Sequence, residues 1–256
     1  MNEIKKRNRF GRFFFNRSRR DYQLVAPKTW GTFKQTPLTQ EEDEAVTTYF
    51  RLRFGGKVGD HFWYTNNFNK NVQGNELLAT LLQRPCKRRF ILYTNLAWDL
   101  CLDQRGAPFF KDMFAWLDAT IAFFVKHPEN HLIIKPHPAE LVWEKGTKSV
   151  REYILEKFAP LPEHVTLLET NVPIRAADFL SSDVIHITFN GSVGFEFSTL
   201  GVPIISPGMS HYKEAGVTYA INSEEEYFAL LNDPAPLIAF AKEHAPYAKK
   251  YAYFSL

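Results

Sequence analysis

The chain has 256 residues, of which 45% are hydrophobic and 15% aromatic, enough to fill the core of one large domain or of a domain and a half. Its longest apolar run, Ala119 to Val125, is far shorter than the about 20 residues that span a bilayer, so we expect no integral membrane protein. A net charge of +3 is too small to indicate a nucleic-acid partner. Two cysteines without metal-ligand spacing favour a reducing compartment.

The first twenty residues are strongly basic, and four phenylalanines lie among the charges. One interpretation is an arm that contacts a membrane surface or a nucleic acid. The other, which we favour, is a solvated segment beside a domain boundary. We assign residues 1–38 to a basic irregular arm or a remnant of an inter-domain segment, and residues 39–256 to one domain. If the arm has a partner, we expect peripheral membrane contact and no nucleic acid.

Helical and strand patterns alternate along the rest of the chain. A helix is predicted from Thr39 to Arg53, because acidic residues in its first turn suit the positive end of a helix. The further predicted elements are a strand at Phe90 to Tyr93, a helix from Pro108 to Phe124, a strand at His131 to Ile134, a helix at Ser149 to Phe158, a strand at His164 to Leu168, a short helix at Ile174 to Leu180, a strand at Val184 to Thr188, a helix at Ser192 to Leu200, a strand at Pro203 to Ser206, a strand or turn at Val217 to Ala220, and helices at Glu224 to Leu231 and Pro236 to His244. This alternation predicts an α/β fold with a parallel sheet covered by helices on both faces.

A lysine and a histidine follow one predicted strand directly. The loop reads Lys135-Pro136-His137-Pro138, and its prolines stiffen the backbone. Ligands bind beyond the carboxyl ends of parallel strands, and both side chains suit a phosphate there: lysine as a point charge, imidazole as a hydrogen-bond donor or as a cation. The alternative is a surface turn with an incidental histidine.

A second loop joins a strand to a helix at Asn190-Gly191-Ser192-Val193-Gly194-Phe195-Glu196. Gly191 allows a ligand to approach the backbone, and Ser192 offers a helix cap or a hydroxyl group, which together favour an anion site. A tight turn capped by a serine is the alternative. Further along, Tyr212 either stacks on a base or bonds a phosphate, or is an ordinary half-buried aromatic residue.

Other chemistries fit the sequence less well. Gly55-Gly56-Lys57-Val58 lacks the spacing and the Ser/Thr of a P-loop. The sequence also contains no Asp-x-Asp motif, which would indicate a diphosphate held by a metal ion. Ser192 stands where a nucleophile elbow would place its serine, but the required glycine two residues earlier is Asn190. Histidines at 211 and 244 leave a hydrolase as a remote alternative.

Five stretches in a fixed order resemble the capsule polysaccharide biosynthesis proteins, a family that includes transferases of the sugar acid Kdo. The likeness extends from about Thr39 to the C-terminus. The stretches are Tyr93 to Asp99, Phe114 to Leu117, Ile133 to Glu140, Asn190 to Glu196 and Gly208 to Tyr212.

The resemblance implies a GT-B architecture, of which this chain would supply the C-terminal Rossmann-like half that holds the activated sugar. Related CMP-sugar enzymes bind the nucleotide phosphate through a His-Pro motif and a serine-containing turn, which carry over to His137, Pro138 and Ser192. Lys135 stands where many members have arginine, which keeps the charge and loses the bidentate fork. Asn190-Gly191 replaces a Ser/Thr-rich turn, so the backbone and Ser192 are left to bind phosphate.

The function implied is that of a metal-independent glycosyltransferase in capsule or surface polysaccharide biosynthesis, using a CMP-sugar such as CMP-Kdo and a glycan or glycolipid acceptor. We expect it in the cytoplasm at the inner face of the plasma membrane, with no cofactor besides the nucleotide sugar. His137 is the expected catalytic residue. Glu196 is expected to hold a ribose or its own loop, and Asn95, Asp99 and Glu140 to line the cleft without an assigned role.

The family usually has an acceptor-binding domain before the matched region, so we expect a truncated or split member that needs a separate N-terminal domain. Two further functions stay open. One is a nucleotide-binding module without independent catalysis. The other is a nucleotide-sugar epimerase of the same overall fold, which would need acid and base residues across the cleft that the sequence does not reveal.

Overall fold

The computed structural model describes residues 27–55, 68, 71–96, 109–143, 148–181, 183–213 and 215–255. Most of the basic arm and Asp99 lie outside these residues. A parallel five-stranded sheet forms the centre of the described part, with the order β3-β2-β1-β4-β5. The strands are β1 (Arg88–Tyr93), β2 (Asn130–Lys135), β3 (Val165–Leu167), β4 (Val184–Thr188) and β5 (Ile204–Ile205). The α/β fold with a parallel sheet is therefore confirmed.

Helices cover both faces of the sheet, as the buried strands require. They are α1 (Pro27–Phe33), α2 (Gln40–Phe54), α3 (Gly74–Gln83), α4 (Met113–Val125), α5 (Glu140–Trp143), α6 (Val150–Phe158), α7 (Val193–Ser198), α8 (Glu224–Asn232) and α9 (Ala235–Ser255), with a 3-10 turn at Ala176–Phe179. Local signals set several of these starts. Thr39 and Ser149 form capping boxes at α2 and α6, and Asp112 caps α4.

Alternate residues of each strand enter two different cores. Phe90 and Leu92 of β1 pack with α4, α6 and α8 on one face, whereas Ile91 and Tyr93 pack with α3 and α7 on the other. The chain therefore leaves β1 toward one face of the sheet and leaves β4 toward the opposite face. Strands whose connections diverge in this way open a crevice between their carboxyl ends, where α/β proteins bind ligands.

A third cluster joins the first described helix to the last one. Trp30, which falls in the stretch predicted to be irregular, is buried, and its ring lies 5.4 Å from Tyr247 and 5.2 Å from Tyr251 between centroids. Helix α1 therefore belongs to the folded domain. Its signal was missed because its apolar face is short and its packing partner lies at the far end of the chain.

The C-terminal helix is longer than predicted. Instead of ending at His244, α9 runs to Ser255 and contains Pro246. Proline costs a helix one hydrogen bond, but Ala248, Tyr251 and Ala252 are all fully buried beyond it, so tertiary packing outweighs the local penalty. The segment Val217 to Ala220, predicted as a strand or turn, forms no strand. Within the described residues, no helix is long and apolar enough to cross a bilayer.

We expect Trp30→Ala to lower the free energy of unfolding by about 3–5 kcal/mol, the cost of removing a large buried aromatic side chain. Urea denaturation followed by circular dichroism measures the change. Gln35→Ala, an exposed substitution just beyond the same helix, is the control. Equal stability of the two variants would contradict the packing of α1 against α9 and would favour an unstructured arm at residues 27–33.

Candidate functional site

Three loops converge at the carboxyl edge of the sheet. Tyr93 is in register with Lys135 on one side and with Thr188 on the other, so β1, β2 and β4 end level with one another. The loops that follow begin at Thr94, Pro136 and Phe189. The sequence analysis predicted phosphate-binding residues in two of these loops, and the structure brings the end of β1 between them.

Two threonine hydroxyl groups hold the loops in place. The backbone N–H of His137 donates to Thr94 Oγ1 at 3.0 Å, and that of Gly191 donates to Thr188 Oγ1 at 3.2 Å. Both threonines are almost completely buried, so these bonds are shielded from water. The sequence analysis assigned neither a role, although each lies at the end of a predicted strand beside a candidate loop.

His137 is oriented by a second hydrogen bond. Its Nδ1 accepts from the backbone N–H of Ala139 at 3.1 Å, so the neutral ring carries its proton on Nε2. The ring is half-buried. His137 therefore presents an N–H hydrogen-bond donor at the carboxyl edge. Pro138 is also half-buried, and its carbonyl accepts from Leu141 at the start of α5.

The loop after β4 is shaped by glycines. A Cβ on Gly191 would lie 2.8 Å from Thr188 Oγ1, and one on Gly194 would lie 2.2 Å from the hydroxyl oxygen of Tyr212. Both distances are too short for any other residue. Only glycine therefore permits this path of the backbone.

Ser192 follows the turn and is exposed. Its side chain makes no capping bond to α7, so the hydroxyl group is left for another partner. Within the described part of the chain, nothing accepts a hydrogen bond from the backbone N–H groups of Ser192 and Val193. One hydroxyl and two N–H groups thus lie together in this loop.

Two asparagine side chains bridge the crevice. Asn95 Nδ2 donates to Asn190 Oδ1 at 2.7 Å, and Asn190 Nδ2 donates to the carbonyl of Met209 at 3.4 Å. The chain of amides connects the ends of β1 and β4 with the loop after β5. Asn95, predicted only to line the cleft, is therefore part of the site's framework.

Lys135 does not stand beside His137 as predicted. It is the last residue of β2, and the two-residue period of the strand directs it to the face of Ile133 and Tyr93. Only 5% of it is exposed. Burial lowers its pKa from the ordinary 10.5 to about 8, and the charge of Asp178 offsets part of this effect. Lys135 is thus a buried cation below the loop and not a surface contact.

Tyr212 and Glu196 make contacts within the protein. Tyr212 is fully buried, and its hydroxyl donates to the carbonyl of Gly191 at 2.8 Å, so its ring shapes the loop from inside and cannot stack on a base. Glu196 accepts from Arg53 at 2.7 Å and is buried, so it joins α7 to α2. The sequence analysis missed Arg53 because 143 positions separate the partners.

Glu140 has a structural contact too. Its Oε1 accepts from the backbone N–H of Val150 at 3.1 Å, at the first turn of α6, where a carboxylate suits the positive helix end. Asp99 lies outside the described residues. Within them, no group of three His, Cys, Asp or Glu side chains is arranged to hold a metal ion.

The model of the capsule polysaccharide biosynthesis protein family matches residues 56–245. The chain belongs to this family. The match includes the ends of β1, β2 and β4 with their loops. Membership of the family supports a role in surface polysaccharide biosynthesis. No curated protein matches the chain. Among solved structures, a co-structure of S. aureus MnaA with UDP is similar at a TM-score of 0.46 and 14% identity, over 73% of this chain. The chain spans about half of that protein, 47% of its length.

Burial of Lys135 gives a testable pH dependence of stability. Below pH 8 both the folded and the unfolded chain carry the ammonium, and the folded chain bears the full desolvation penalty. Between pH 8 and 10.5 the unfolded chain binds more protons, so the contribution of Lys135 to the free energy of unfolding rises with pH. We expect Lys135→Met to be more stable than the wild type at pH 7 by on the order of 2 kcal/mol, with the gap narrowing toward pH 10.5.

Urea denaturation at a series of pH values from 7 to 10 measures this gap. Lys126→Met, on the exposed surface, is the matched control and should lack the gain at pH 7. A stability gap for Lys135→Met that stays constant across the series would contradict the account.

Proposed function

We propose that this chain is the sugar-donor-binding half of a glycosyltransferase that builds capsule or other surface polysaccharide. The observation that carries the proposal is a set of hydrogen-bond donors in the loop after β4 for which the described residues supply no acceptor: the Ser192 hydroxyl and the backbone N–H groups of Ser192 and Val193. Such donors favour an anion, and the anion common to all nucleotide sugars is phosphate. His137 lies at the same edge of the sheet, in the loop after β2. Membership of the capsule family supports the same ligand.

The chemistry follows from charge. In transfer, the bond between the sugar and the nucleotide phosphate breaks, an acceptor hydroxyl oxygen bonds to the sugar, and the bond-breaking electrons remain on the phosphate. Hydrogen-bond donors fixed in advance lower the energy of that developing charge. His137 donates through Nε2, since Nδ1 already accepts from Ala139. The base that takes the acceptor's proton belongs to a separate acceptor domain.

The protein environment supplies the remaining positive charge. Lys135 is a buried ammonium below the loops. Asp178, whose negative charge acts on Lys135, forms a salt bridge with Arg175 at 2.8 Å. A phosphate above the strand ends would meet an electrostatic field that favours it. We therefore propose transfer without a metal ion. The resemblance to Kdo transferases favours a CMP-activated acid such as CMP-Kdo as the donor.

We propose that the protein acts in the cytoplasm at the inner face of the plasma membrane. A glycan or glycolipid acceptor growing there would be its second substrate. The basic residues among the first twenty would attract anionic headgroups. A vesicle-flotation assay with anionic and neutral lipids examines this part of the proposal separately.

We expect His137→Ala to weaken binding of CMP at least about 10-fold, because a hydrogen bond to a charged group contributes about 1.5–3 kcal/mol. His137→Gln, which can place an amide N–H near the position of Nε2, should retain part of the affinity. Isothermal titration calorimetry measures both, with UDP and GDP run beside CMP to identify the nucleotide.

The matched control is His127→Ala, another half-buried histidine, bonded through Nδ1 to the carbonyl of Phe123 in α4. It should bind as the wild type does. Equal nucleotide affinity of His137→Ala and the wild type would reject the assigned site. Binding without sugar transfer, even with an acceptor domain supplied, would favour the nucleotide-binding module over the enzyme.

A further inference from the structure

Asn95 carries a buried hydrogen-bond acceptor that no described residue satisfies. Its Oδ1 is shielded from solvent and lacks a partner in the described part of the chain, and the residue as a whole is 7% exposed. Buried polar atoms are nearly always hydrogen-bonded, and each exception in a folded protein calls for an explanation.

The orientation of this amide is set by its neighbours. Asn190 Nδ2 lies against the carbonyl of Met209, which can only accept, so the oxygen of Asn190 faces Asn95. The group of Asn95 that meets this oxygen, at 2.7 Å, must therefore be its NH2. Turning the Asn95 amide over would set two oxygens against each other. Its Oδ1 is consequently held in one direction, away from Asn190.

The position of this acceptor indicates what could satisfy it. Asn95 follows β1 and contacts the loop that carries Ser192 and Val193: its amide bonds Asn190, and a Cβ on Gly191 would lie 3.9 Å from its Nδ2. Asn190 and Gly191, which adjoin it, are only half-buried, so the shielded amide lies next to residues that a ligand can contact. In a nucleotide sugar, the groups next to the phosphate are the ribose and the transferred sugar. Both carry hydroxyl groups, which donate hydrogen bonds.

We infer that Asn95 determines specificity, with its Oδ1 accepting a hydrogen bond from a hydroxyl group of a sugar ring that adjoins the bound phosphate. This inference rests on the proposed binding of a nucleotide sugar. A ligand without that hydroxyl leaves the acceptor unsatisfied and is bound less tightly. Asn95 thereby selects for a hydroxylated ring, while His137 and Ser192 bind the phosphate common to all candidates.

The test removes the acceptor and the hydroxyl group in turn. Calorimetric titrations compare wild type and Asn95→Ala with CMP and UDP, with the 2′-deoxy and 3′-deoxy form of each, and with CMP-Kdo. If the hydroxyl group that bonds Asn95 belongs to the ribose, the wild type binds the ribonucleotide roughly 10- to 100-fold more tightly than one deoxy form, and Asn95→Ala loses this preference. If the hydroxyl group belongs to the transferred sugar, Asn95→Ala weakens binding of CMP-Kdo by a similar factor and leaves binding of CMP unchanged.

Asn222→Ala is the matched control, because this asparagine is exposed and its side chain bonds only to Glu226 among the described residues; its ligand preferences should equal those of the wild type. If the amide has only a structural role, Asn95→Ala weakens the binding of every ligand by one common factor, or of none. That result overturns the inference and leaves the proposed nucleotide binding intact. Failure of the wild type to bind any of these ligands would reject the proposed function and the inference with it.

Discussion

The arrangement of the site depends on β1, which pairs in parallel with β2 on one side and with β4 on the other. Because Tyr93 is in register with both Lys135 and Thr188, the three strands end at one level. Hydrogen bonds between neighbouring loops then become possible, from the His137 backbone N–H to Thr94 Oγ1 at 3.0 Å and from Asn95 Nδ2 to Asn190 Oδ1 at 2.7 Å. A shift of one residue in either pairing would turn every side chain of that strand to the other face, and the loops would no longer meet.

Much of the fold was predictable because strands and helices alternate with clear periods. The bounds of β4 are as predicted, and α2 and α6 begin where their capping residues indicate. Helices α1 and α3 were not predicted. The signal for α3 was overlooked, because Leu77, Leu78, Leu81 and Leu82 recur at helical spacing. Their stability comes from distant partners, as with Trp30 against the far end of α9. Proline at 246 similarly hid the length of α9, because its local cost is visible in the sequence and the compensating burial is not.

The site was predictable only in outline. The convergence of the loops that carry His137 and Ser192 follows from any parallel sheet, and the structure has that arrangement. Whether these residues bind nucleotide stays a prediction. Lys135 was predicted to lie in the loop, but β2 extends one residue beyond the predicted strand and includes it. As a strand residue, Lys135 directs its side chain to one face of the sheet. The burial of Tyr212 depends on the space left by Gly194, which no local pattern reveals. Glu196 could not be matched with Arg53, since sequence spacing carries no information about such a distant ion pair.

The central claim is that a nucleotide phosphate binds above the ends of β2 and β4. The most direct measurement is a nuclear magnetic resonance titration of ¹⁵N-labelled protein with CMP and, separately, with UDP. The account predicts that the largest shifts occur at the backbone amides of Ser192 and Val193 and at Nε2 of His137, because these groups gain a charged hydrogen-bond acceptor. Shifts centred on another part of the chain, with these three signals unmoved at saturation, would contradict it.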